Sequence, residues 1–149
     1  MIIPPNSIAI PITTPEKLWR PFAFIKGEVA SSKNSRRNIS KRNRKTGKRI
    51  TISLPSEFAS NYMKSAFIQF LEVRREWLST IDTTNRPLHI GFYFYRKTSG
   101  RADYSNLVQA VQDCMVKALL IEEDNMTCFV PHFLGHQKDA ENPGVMIYL

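Results

Sequence analysis

The chain has 149 residues, 42% of them hydrophobic, and a formal net charge of +8. That length suits one domain with a real core and excludes a disordered tail. The pI near 9.7 points toward a polyanionic partner, nucleic acid before an anionic membrane surface. Two cysteines, Cys114 and Cys128, are too few for a disulfide framework. No run of about 18 apolar residues is present, and the first residues do not read as a secretory leader. The expected setting is a reducing cytoplasm, with no membrane partner and no small-molecule organic cofactor.

Residues 1–20 are proline-rich, with Pro4, Pro5, Pro11 and Pro15, and read as an irregular N-terminal extension of a single domain spanning 1–149. Residues 21–29 alternate Phe22, Phe24 and Lys26 against Ala23, Ile25 and Gly27, the period of a strand. No acidic residue lies between Glu28 and Glu57. That gap holds Lys33, Arg36, Arg37, Lys41, Arg42, Arg44, Lys45, Lys48 and Arg49, separated by Ser, Asn and Gly. It reads as a mobile, solvated basic loop over 31–49, either without a specific role or with its cations and Asn34 neutralising phosphates. Residues 49–54 form a short alternating strand.

Pro55-Ser56-Glu57 opens a helix, with Ser56 as N-cap. Ala59, Met63, Ala66, Phe70, Val73 and Trp77 recur at spacings of three and four, so they share a face that packs into the core. Residues 87–96 alternate Leu88, Ile90, Phe92 and Phe94 against His89, Gly91, Tyr93 and Tyr95, a strand. A turn at 97–101 leads into a second helix over 103–119, with Leu107, Ala110, Val111, Cys114, Ala118 and Leu119 as its apolar stripe. Residues 126–134 and 145–149 close the sheet. The fold class expected is α+β, a mostly antiparallel or mixed sheet packed against two helices.

Acidic residues gather in the last third, seven of the thirteen from Asp103 onward. Asp103, Asn106, Asp113 and Lys117 lie along one polar border of the second helix. Asp103, Ser105 and Asn106 are all good capping residues as well. At about 1.5 Å of rise per residue, Asp103 and Asp113 stand about 15 Å apart and do not share an ion. Asp113 either orients a neighbour or pairs with Lys117. Glu122, Glu123 and Asp124 follow the helix C-terminus, where the macrodipole disfavours negative charge, so they read either as a plain exposed turn or as a run that a cation offsets. If the strand from 126 pairs beside the strand at 87–96, Asp124 or Glu123 comes near Asp103. Such an oxygen-donor set suits Mg²⁺, with Mn²⁺ able to substitute. Cys128, His132 and His136 have a zinc-like spacing, but Pro131 interrupts them and no fourth ligand is evident.

Arg101-Ala102-Asp103-Tyr104-Ser105-Asn106-Leu107, then Asp113, then Ile121-Glu122-Glu123-Asp124-Asn125, resembles the RusA Holliday junction resolvases. The stretch from Gly27 to Arg36 also looks like that family's strand and Ser-Lys-Lys-Asn-Ser-type loop. The resemblance covers residues 22–149. It implies a RusA-like fold, an intertwined homodimer, and Mg²⁺-dependent cleavage of four-way DNA junctions in recombination and repair. It makes Asp103 and Asp124 the metal-binding acids, with Glu123 beside Asp124 and Asn106 as the motif Asn. Ser105 stands where the family has a second Asp, and Gln109 where it has a Lys. The hydroxyl of Ser105 can still ligate, or Glu123 can replace the missing charge. The alternative is a catalytically weak or inactive DNA-binding module on the same fold. A basic RNA-binding protein would explain residues 33–49 but not Glu122–Asp124.

Overall fold

A computed structural model describes residues 13–14, 17–31, 35–82 and 84–149. Most of the N-terminal extension, together with Lys33 and Asn34, lies outside them. The elements run in chain order as two short strands, β1 (Thr13–Thr14) and β2 (Lys17–Leu18), then β3 (Pro21–Lys26), β4 (Arg36–Arg42) and β5 (Arg49–Pro55). There follow α1 (Glu57–Thr80), β6 (Leu88–Arg96), α2 (Tyr104–Lys117), β7 (Phe129–Lys138) and β8 (Gly144–Tyr148). The main sheet has the order β3-β8-β6-β7. Its β3–β8 and β8–β6 pairings are antiparallel and β6–β7 is parallel. The expected α+β class with a mixed sheet and two helices is therefore present. No helix among the described residues is long and apolar enough to cross a membrane.

Both helices pack on one face of this sheet. Ser56 caps α1, its Oγ accepting from the Ala59 amide at 3.1 Å. The α1 stripe buries Ala59, Tyr62, Ala66, Phe70 and Trp77 against Phe22, Ile25, Val145 and Ile147 from the strands and Val111, Cys114 and Met115 from α2. Each large side chain sealed this way contributes on the order of 1.5–3 kcal/mol. The indole Nε1 of Trp77 also donates to the Leu120 carbonyl at 2.8 Å, tying α1 to the chain leaving α2. The helix ends sooner than its apolar stripe predicts. Leu119 has φ 58° and is exposed, while Leu120 and Ile121 turn inward.

The other face of the sheet carries a second cluster, Trp19, Tyr93, Tyr95, Met146 and Tyr148. Alternation along β6 thus separates two buried sets rather than core from solvent. Gly91 is fixed by this packing, because a Cβ there would overlap the Leu134 side chain and meet the Trp19 ring.

The basic segment is the main departure from expectation. It is a β-hairpin rather than an irregular loop, with seven paired positions from Arg36↔Pro55 to Arg42↔Arg49, and its strands are exposed as expected. Asn43 organises the turn. Its Oδ1 accepts from the Lys45 amide at 2.9 Å, and its carbonyl accepts from Gly47 N–H at 2.8 Å. Gly47 takes the positive φ of 68° that the turn requires. Charge concealed the strand: only Ile39 is apolar in Arg36–Arg42, so no alternation is visible there. The partner strand supplies it instead.

Candidate nucleic-acid interface and acidic cleft

Register in the hairpin sorts its side chains onto two faces. Arg36, Asn38, Ser40 and Arg42 share one with Arg49, Thr51 and Ser53. Arg37, Ile39 and Lys41 share the other with Ile50, Ile52 and Leu54. The first face is polar and cationic. Arg42 and Arg49 stand directly opposite each other, a like-charge pairing that costs stability unless an anion offsets it. Arg36 is held flat, its Nε donating to Ser53 Oγ and its Nη2 to the Ser53 carbonyl, both at 2.8 Å. The remaining expected cations, Arg44, Lys45 and Lys48, lie at the turn and are exposed.

The end of β3, from which the chain leaves toward this hairpin, and the start of α2 are at the same end of the main sheet. Lys26 pairs with Gly144, which in turn pairs with Tyr95 near the end of β6. Just beyond, the Glu28 carboxylate accepts from the Lys97 amide at 2.6 Å. The chain then turns through 99–102 to Asp103, the N-cap of α2. Asp103 Oδ1 accepts from the Ser105 amide at 3.0 Å and the Ser105 hydroxyl at 2.7 Å. Its Oδ2 accepts from Asn106 Nδ2 at 3.2 Å. The three motif residues therefore form one hydrogen-bonded group at the helix start, where the dipole favours a carboxylate.

This group borders a cleft of about 490 Å³ whose lining includes Phe94, Arg96, Arg101, Tyr104, Phe133 and His136. Burial pushes the Tyr104 phenol up to about 12, so it is a neutral hydrogen-bonding group at ordinary pH. A bulge in β7 shapes the wall. Phe92 pairs with Phe133 and Tyr93 with Gly135, leaving Leu134 as the extra residue. Phe133 and His136, three positions apart, consequently share the helix side of the sheet, with rings nearly parallel at 19° and centroids 6.2 Å apart. Gly135, at φ 137°, lies against the Tyr93 ring, which a Cβ would approach to 2.7 Å. Sequence reasoning missed Arg96, Arg101, Phe133 and His136 as a set. Gly135 in a strand was the available signal of a bulge.

The 122–124 turn lies at the other end. The segment after it does pair beside β6, but the pairing is parallel, with Leu88 opposite Phe129 and Arg96 opposite Lys138. The turn therefore enters at the beginning of β6, whereas Asp103 follows its end. The physical reason is α2, whose 14 residues carry the chain back the length of β6. Asp103 and Asp124 are about 20 Å apart along that helix. They do not meet within one chain, and Asp113 lies between their ends. Lys117 is in the last turn of α2, where its charge complements the helix C-terminus.

The acids of the turn have separate partners. Glu122 forms an ion pair with Arg86 at 2.7 Å, and this guanidinium holds its carboxyl below the usual 4.5. Arg86 thus offsets one of the three acids. Glu123 Oε2 accepts from Asn125 Nδ2 at 2.5 Å, while Asp124 is exposed. Among the described residues no three His, Cys, Asp or Glu side chains form a metal-holding group. Among the described residues, the Asp103 carboxylate with the oxygens of Ser105 and Asn106 does not amount to a complete divalent-cation site. Cys128, His132 and His136 are also dispersed. Arg86 Nη1 lies 3.2 Å from Cys128 Sγ, His132 packs tilted against Trp19 and shares a 2.8 Å hydrogen bond with His89 on the outer face, and His136 faces the cleft.

No protein-family model, curated protein or solved structure matches the chain. The resemblance of its motifs to the RusA resolvases stands on those residues alone.

Proposed function

We propose that the chain is a divalent-cation-dependent endonuclease of RusA type that resolves four-way DNA junctions as a cytoplasmic homodimer. The observation that supports it best is the hydrogen-bonded Asp103–Ser105–Asn106 group at the start of α2, in a chain that also carries a separate cationic hairpin. Phosphates held along Arg36, Arg42 and Arg49 would run toward the Asp103 carboxylate. The separation of Asp103 from Asp124 makes the dimer part of the chemistry. A two-fold axis across α2 sets the helices antiparallel, so that Asp124 of the partner subunit meets Asp103. Two such sites face the two-fold symmetry of a four-way junction. The exposed apolar face at Ile39, Ile50, Ile52 and Leu54 supports association, since a lone two-stranded hairpin is marginally stable.

The completed set would be Asp103, Ser105 Oγ and Asn106 with the partner's acid, oxygen donors suited to Mg²⁺ or Mn²⁺. The cation would supply charge neutralisation at the phosphate and a more acidic bound water. Within the chain, Ser105 and Asn106 fix the Asp103 carboxylate, and Arg96 and Arg101 add positive charge beside it. Incubating a synthetic four-way junction with the protein and Mg²⁺ or Mn²⁺ should give paired incisions, and Asp103→Asn should abolish them. Intact junctions with the wild type would refute the activity.

A second reading, a junction-binding module without cleavage, is favoured by one observation. Both Asp103 oxygens already accept hydrogen bonds, and Ser105 supplies no second carboxylate. It predicts salt-sensitive binding without scission.

A further inference from the structure

We infer that the cleft beside Asp103 is a pocket for one unstacked nucleobase. The inference rests on the nucleic-acid reading of this end of the sheet, and it deepens that reading by assigning a base-holding site. The cleft volume of about 490 Å³ falls in the range of sites that enclose a small organic group. Its wall is aromatic. Tyr104 and Phe133 rings touch at a centroid distance of 4.5 Å, Phe94 meets Tyr104 edge-on at 6.1 Å, and His136 lies parallel to Phe133. Phe133 is 49% exposed, a large apolar ring presented to the opening rather than sealed in the core. Flat aromatic surface open to solvent is what an unpaired base stacks upon.

The rim is polar in the way a nucleotide needs. Arg96 and Arg101 sit where the phosphate of a bound nucleotide would leave the cleft, and Arg96 is steadied by donating to the Gly100 carbonyl. The Tyr104 hydroxyl is buried and finds no hydrogen-bond partner among the described residues. That oxygen is closed to solvent, so what the cleft offers a base is the aromatic faces and not this hydroxyl. The bulge at Leu134 has the same consequence, since it is the device that turns Phe133 and His136 to one side. A backbone-only phosphate site would need neither the aromatic wall nor the bulge. In a branched DNA, the unpaired or easily unstacked base lies at the branch point, next to the phosphate that Asp103 would address.

The test is binding without cleavage, in EDTA. Two eight-unit deoxyribose-phosphate oligomers are compared, one wholly abasic and one carrying a single 2-aminopurine at its centre. The base should tighten binding by about 5- to 150-fold, the range of base–aromatic stacking, and its fluorescence should be quenched. Phe133→Ala should remove that advantage while leaving the affinity of the abasic oligomer unchanged. Phe133→Tyr should retain it. Equal affinity for the two oligomers, or an advantage that survives Phe133→Ala, overturns the pocket while leaving the nucleic-acid reading intact. Failure of both oligomers and of a four-way junction to bind overturns both.

Discussion

Replacing Arg42 and Arg49 with glutamine removes two cations from one face of the hairpin while leaving its strands paired. Both side chains are exposed, and the hairpin register does not depend on their charge. Each phosphate neutralised on duplex DNA contributes about 0.9 to the slope of log affinity against log salt. If both arginines reach phosphates, the double variant should show a slope smaller by about 1.8. Between 50 and 200 mM salt, its affinity should then fall roughly twelvefold less than that of the wild type. Arg37→Gln with Lys41→Gln removes the same charge from the opposite, apolar face and should leave the slope near the wild-type value. Fluorescence anisotropy with a labelled four-way junction over a KCl series measures both. An unchanged slope for the Arg42 and Arg49 variant, or equal losses from the two faces, would refute the assignment of the polar face to DNA.

Two further outcomes concern stability. Trp77→Phe removes the donor to the Leu120 carbonyl and should destabilise the fold by about 1–3 kcal/mol, lowering Tm by roughly 2–4 °C for each of these. Calorimetry that finds no change would mean this bond does not hold α1 to the α2 exit. Glu122→Gln tests the Arg86 ion pair. Because the folded carboxyl is held below the usual 4.5, its contribution is present above that value and is lost as pH falls through the folded one. The wild type should therefore exceed Glu122→Gln in Tm near neutrality, and the two should converge toward acid pH. Asp82, lowered by Thr84, titrates in both proteins and cancels in the comparison. A constant difference across the range would show that the ion pair is not its source.

Much of the fold was legible where periodicity met burial. The strand at β6, the α1 stripe and the Ser56 cap follow directly from spacing, and α2 was misjudged only at its end. Leu119 continues the helical stripe in sequence, yet the chain leaves the helix there through a positive φ. The basic hairpin was hidden because β4 has one apolar residue, and its apolar face is completed by β5. Strand direction was less legible still. The strand after α2 does pair beside β6, the condition on which Asp124 or Glu123 would approach Asp103, but periodicity carries no sign, and the parallel register puts these acids at the other end. The cleft required knowledge of the bulge, which shifts Phe133 and His136 onto one face. Asp103, Ser105 and Asn106 were readable as a group because a helix N-terminus collects short polar side chains in sequence order. Arg96 and Arg101 join them only through the turn that closes behind β6.

The central claim is that acids at opposite ends of α2 combine across a dimer. Mixing Asp103→Asn and Asp124→Asn chains, by refolding them together, tests it most directly. Each variant alone should leave a four-way junction intact in Mg²⁺. Their mixed dimers should contain one complete site, pairing Asp103 of one chain with Asp124 of the other, and should nick a single strand. An inactive mixture of folded variants, beside an active wild type and with mixed dimers demonstrated, would contradict the composite site.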